Sequence, residues 1–154
     1  MIFSSSEGLQ MKDALGHGSN PRGGHAAGIN QVGTIRLHPK AVKAMLGKAD
    51  VSVKPTTGER PSTGFMVSRQ GGPAVPQGTL TRAAIQSFAN SRALAINGGA
   101  FMGKWTDNGK DYLDVSDNRK TSEAEATKLG AARNQIGIWD VSGKRFIPTG
   151  GTGK

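Results

Sequence analysis

The chain has no cysteine, so disulfides, a thiol nucleophile and thiolate metal sites are excluded. Aromatic residues are scarce at 5% of the 154 residues. Leu, Ile, Val and Phe together number 29, just under the ~20% share below which a charged chain struggles to fold unaided. No apolar run approaches the roughly 20 residues of a membrane span. The start, Met1-Ile2-Phe3-Ser4-Ser5-Ser6-Glu7, lacks the basic and apolar regions of a secretory signal. Acidic residues are also few: 11 against 20 Lys and Arg, for a net charge of +9. What is abundant is glycine, 23 residues, about twice the usual ~7% share.

Glycine is concentrated at the two ends. Residues 1–33, with Gly16-His17-Gly18-Ser19-Asn20-Pro21-Arg22-Gly23-Gly24-His25, show neither helical nor strand periodicity and are expected to form a flexible arm. Residues 148–154 are expected to form a Gly-rich tail. Between them, 34–147 reads as a single α+β domain with a mainly antiparallel sheet and two or three helices. Thr34 to Leu37 is extended. Pro39 suits the first position of a helix that runs to Leu46. Val51–Lys54 and Gly64–Ser68 alternate as strands, and 70–78 reads as loop. Thr81 caps a helix with Ala84, Ile85, Phe88, Ala89 and Leu94 on its apolar side. Asn108-Gly109 supplies a type I′ turn between strands at Phe101–Trp105 and Tyr112–Ser116. Ser122 and Glu125 match a capping box opening a helix to about Arg133. A second hairpin, Ile136–Val141 and Arg145–Ile147, closes the domain.

Charge is uneven along the chain. No acid falls between Glu59 and Asp107, whereas Arg60, Arg69, Arg82, Arg92 and Lys104 do. With Arg22 of the arm, these six are the expected contacts for a polyanion or partner, because cations release counterions from phosphates. No aromatic-and-basic signature of sequence-specific recognition is present. Lys12, Lys40, Lys43, Lys48 and Lys54 add to the charge of the arm and first helix.

His17 and His25 flank Arg22, and an imidazole pair could move protons near neutral pH. Asp114, on a strand face, could orient one of them. These three are the candidate catalytic set of an alternative, enzymatic reading. Asp107, Asp111, Asp114 and Asp117 do not follow calcium-loop spacing, and a surface turn with one polar strand face is expected instead. No metal site and no cofactor are expected. The terminal Gly150-Gly151-Thr152-Gly153-Lys154 lacks the Ser or Thr and the helix that a P-loop requires. Trp105, Trp139, Phe101 and Tyr112 are expected in the core.

Several stretches resemble an uncharacterised small domain of tailed bacteriophages, found alone or within large phage polyproteins. They are Ala14-Leu15-Gly16-His17-Gly18-Ser19-Asn20, Pro61-Ser62-Thr63-Gly64-Phe65-Met66-Val67-Ser68, Gly103-Lys104-Trp105, Tyr112-Leu113-Asp114-Val115-Ser116, Asn134-Gln135-Ile136-Gly137-Ile138-Trp139-Asp140 and Thr149-Gly150-Gly151-Thr152-Gly153. The resemblance carries no catalytic residue. It implies a phage context: the virion, or the host cytoplasm before assembly. The expected role is a minor head or internal virion protein. It would dock on other virion proteins, and on nucleic acid without sequence preference, through its basic Gly-rich arms, as part of a larger assembly and without a membrane. The alternative is a small phage-delivered effector enzyme, a nuclease or nucleotide-modifying activity.

Overall fold

The computed structural model describes residues 33–153, apart from Gln70 and Pro73. The described chain is α+β, with four helices and one seven-stranded, wholly antiparallel sheet.

Helix α1, Pro39–Leu46, begins where expected. Pro39 occupies its first turn, and the His38 ring accepts a hydrogen bond from the Lys40 N–H at 3.0 Å. Strand β1 is Val51–Val53 and β2 is Phe65–Ser68. A short strand β3, Ala74–Pro76, lies inside the stretch expected to be loop. Helix α2, Arg82–Ser91, carries the expected cap, Thr81 Oγ1 accepting from the Ala84 N–H at 3.1 Å. The helix does not continue to Leu94. Arg92 leaves helical geometry, and a separate short helix α3, Ala93–Asn97, follows. That break turns Leu94 outward, 60% exposed, and yields a fourth helix where two or three were expected.

Strands β4, Phe101–Asp107, and β5, Lys110–Arg119, form the long hairpin. Asn108 and Gly109 both take positive φ, 48° and 76°, as a type I′ turn requires. Helix α4, Glu123–Ala132, opens on Ser122, whose Oγ accepts from the Glu125 N–H at 3.2 Å. Strands β6, Gly137–Asp140, and β7, Arg145–Pro148, end the sheet.

The strand order is β1-β4-β5-β2-β6-β7. Strand β5 is the spine: β4 pairs along one edge, while β3 and β2 share the other. Between these two short strands the ladder is bridged by the Arg69 and Gly72 N–H groups, which donate to Val115 and Leu113.

Alternation along β4 and β5 divides the apolar residues between the two faces. Met102, Leu113 and Val115 join Val51, Val53, Met45, Ile85 and Phe88 in the main core beneath α1 and α2. Helix α4 covers a smaller group, Val67, Ala126, Ile138 and Ile147. The opposite face holds Met66, Phe101, Trp105, Tyr112 and Trp139. Trp105 and Tyr112 stack there with centroids 4.3 Å apart, a geometry worth about 0.5–1.5 kcal/mol beyond burial. All four aromatic residues expected in the core are buried.

The C-terminal residues are tied down. The Gly153 N–H donates to the Asn134 carbonyl, and the Thr152 N–H to its side-chain oxygen, both at 2.9 Å. The Thr149 hydroxyl bonds the Gln135 carbonyl. Asn134 takes φ 53° just past α4, which turns its side chain and carbonyl toward this segment.

Candidate functional site

The positive side chains separate into those held by the fold and those open to solvent. Asp117 binds two arginines. Arg69 donates through Nε and Nη2 at 2.9 and 3.0 Å, and Arg133 through Nη2 at 2.7 Å. Burial opposes ionisation of Asp117, but the hydrogen bonds from the two guanidinium groups outweigh it and hold its carboxyl below the usual range. Arg92 is half-buried, 5.1 Å from the Phe88 ring centroid and 3.2 Å from the Gly71 carbonyl, and burial pushes its pKa down.

Lys104 is 2% exposed, so it is not a surface contact for a polyanion. Its Nζ donates to the Gly47 carbonyl at 2.6 Å, closing the C-terminal end of α1. Burial lowers its pKa, against the pull of Asp111 and Asp50. The physical reason is strand register: Lys104 pairs with Val51 and Leu113, both on the helix-covered face.

Of the six expected contacts, Arg60, Arg69 and Arg82 are exposed, and Arg60 and Arg82 form no ion pair among the described residues. Arg69, Arg92 and Lys104 have partners within the fold, and Arg22 lies outside the described residues. Arg60 and Arg82 each line a hollow beside α1. There, Lys40, Lys43, Lys48 and Arg60 line an open hollow of about 430 Å³ floored by Ala44, Gly47, Ala49, Val51 and Gly58. No carboxylate lines it, and none of the four cations forms an ion pair among the described residues. Sequence reading registered the three lysines only as charge. Their signal was spacing: Lys40 and Lys43, three apart, share one side of a helical turn.

A neighbouring hollow of about 580 Å³ is formed by Pro39, Val42, Lys43, Leu46, Gly47 and Arg82. Leu46, 47% exposed, lines it together with the two cations.

Asp114 and Ser116 are fully buried beside the core residue Tyr112, so the polar strand face expected with a surface turn is covered. Its Oδ2 accepts from Ser68 Oγ at 2.9 Å and Ser116 Oγ at 3.2 Å. Burial raises its pKa, and the two hydroxyl bonds only partly offset that. His17 and His25 lie outside the described residues, so of the candidate catalytic set only Asp114 is described. Among the described residues, no group of three or more His, Cys, Asp or Glu is placed to hold a metal ion, and no helix is long and apolar enough to cross a membrane. No family model, curated protein or solved structure matches this chain.

Proposed function

We propose that this chain is a minor component of a tailed-phage particle that docks on other particle proteins and contacts nucleic acid without reading its sequence. The observation that supports the reading is the α1 side of the molecule: an exposed leucine lining a hollow with Lys43 and Arg82, beside a cluster of cations that form no ion pair among the described residues. An apolar step with a basic rim suits a partner segment that offers an apolar side chain among carboxylates. On this reading the contact surface comprises the basic residues exposed around α1, Arg60 and Arg82 with Lys40, Lys43 and Lys48.

Mass spectrometry of purified particles tests the reading directly, with the chain expected among the virion proteins. Leu46→Asp tests the surface. Because Leu46 is half exposed, its melting temperature is expected to hold, while incorporation into particles falls about tenfold or more, the scale of one interface anchor. A chain absent from particles, or a Leu46→Asp variant incorporated normally, removes the docking role.

A further inference from the structure

We infer that the hollow between α1 and the turn carrying Arg60 seats a phosphodiester backbone, through Lys40, Lys43, Lys48 and Arg60. The inference rests on the nucleic-acid half of the preceding reading and assigns it a site.

The two walls of the hollow are fixed to one another. The His38 N–H donates to the Pro55 carbonyl at 2.8 Å, which fastens the start of α1 to the turn after β1. Within that turn the Gly58 N–H donates to the Lys54 carbonyl at 2.8 Å, and the Lys54 N–H to the Glu59 carbonyl at 2.7 Å. Gly58 has φ +78°, and a Cβ on it would stand 2.7 Å from the Lys40 Cβ. A side chain there would separate turn from helix, so glycine permits the close approach that sets Arg60 opposite the lysines. The nearest acid of the turn, Glu59, faces Lys54 at 3.8 Å and does not line the hollow.

The floor explains the ligand class. It consists of small residues, so a chain can lie low between the cations. It presents no aromatic ring for stacking a base, and no Asn, Gln, Asp or Glu for reading a base edge. Four positive charges without a carboxylate favour a repeating anion. At the C-terminal end of α1, the carbonyl of Gly47 is already taken by buried Lys104. Lys43 and Lys48 need not turn back to it and remain directed at solvent.

The test uses the full 154-residue chain and two fluorescein-labelled probes of mixed sequence, a DNA duplex and a single-stranded RNA. Anisotropy is measured over a series of salt concentrations. Binding is expected to weaken linearly on a log–log plot, with a duplex slope of roughly −3 to −4, about 0.9 per phosphate contact. The tighter probe identifies the source of the backbone. Lys40→Gln, Lys43→Gln, Lys48→Gln and Arg60→Gln together are expected to lower affinity at least about tenfold and flatten the slope nearly to zero. A control variant with Lys110→Gln, Lys120→Gln, Lys128→Gln and Lys144→Gln removes the same charge elsewhere and is expected to keep most of the slope. If the combined variant melts early, Lys43→Gln with Lys48→Gln is expected to reduce the slope by about half. No binding at low salt, or an equal loss in the control, overturns the inference. Either result leaves the particle test above standing, so failure of the site and failure of the role are distinguishable.

Discussion

Asp114 illustrates what one buried side chain does to a sheet face. Its carboxyl sits among Ser68, Ser116 and apolar neighbours, and burial raises its pKa above the ordinary 3.8. Between that value and the raised one, the folded state holds the proton more tightly than the unfolded chain. Stability therefore falls as pH rises through the interval and is flat above it. Asp114→Asn keeps an acceptor for the two hydroxyls and removes the charge. It is expected to melt within about 1 kcal/mol of the parent at acidic pH, where both are neutral, and to gain on it as pH rises. Thermal melts of both proteins across pH 3–8 check this, and a variant losing ground toward neutral pH contradicts it. Strand alternation puts Asp114 on one face with Tyr112 and Ser116. It could not say that this face is buried, because a pattern of polar and apolar residues identifies two faces without identifying which is covered.

At the scale of elements, the readable features were those with local chemistry. Thr81, Ser122, Pro39 and Asn108-Gly109 each satisfy or constrain the backbone within a few residues, and each marks the boundary it was expected to mark. Strand β3 was not readable, because its three residues become a strand only by pairing with Ala74↔Tyr112, Val75↔Asp111 and Pro76↔Lys110 across the sheet. Nor was the break at Arg92, where the guanidinium turns back to Gly71 and the Phe88 ring. The rotation of helix α4 was not readable either: Ala126 and Gly130 face the core, while Ala124, Ala131 and Ala132 are exposed, since alanine carries too little apolar area to fix a helix's rotation. The hairpin offers a clean measurement. A Cβ on Gly109 would meet nothing within 4 Å, so Gly109→Ala tests backbone conformation alone. It is expected to cost about 1–2 kcal/mol, measured by urea denaturation, and no loss would contradict a type I′ turn.

For the molecule as a whole, Asp117 links three parts of the fold: the centre of the sheet on β5, Arg69 after β2, and Arg133 at the end of α4. Arg133 also donates to the Val67 carbonyl at 3.2 Å, which fastens helix to strand. With a depressed folded pKa, the contribution of Asp117 is present above the ordinary 3.8 and is lost as pH falls through the lower folded value. Asp117→Asn is expected to lose about 1–3 kcal/mol at pH 7 and to show a shallower acid limb. Chemical denaturation at pH 7 and pH 2.5 measures both, and an unchanged acid limb contradicts the assignment. These pairings also engage cations that the sequence marks as contacts. Linear charge density registers every cation between Glu59 and Asp107, but the fold brings Asp117 against Arg69 from 48 positions away and turns Lys104 inward.

Lys104 has a mechanical consequence as well. Its ammonium joins the last carbonyl region of α1 to the middle of β4, so the helix cannot be tilted or slid without dragging the longest hairpin with it. A load applied to the basic flank would be carried by seven strands rather than by one eight-residue helix, which makes this corner a stiff handle on an otherwise lightly built body.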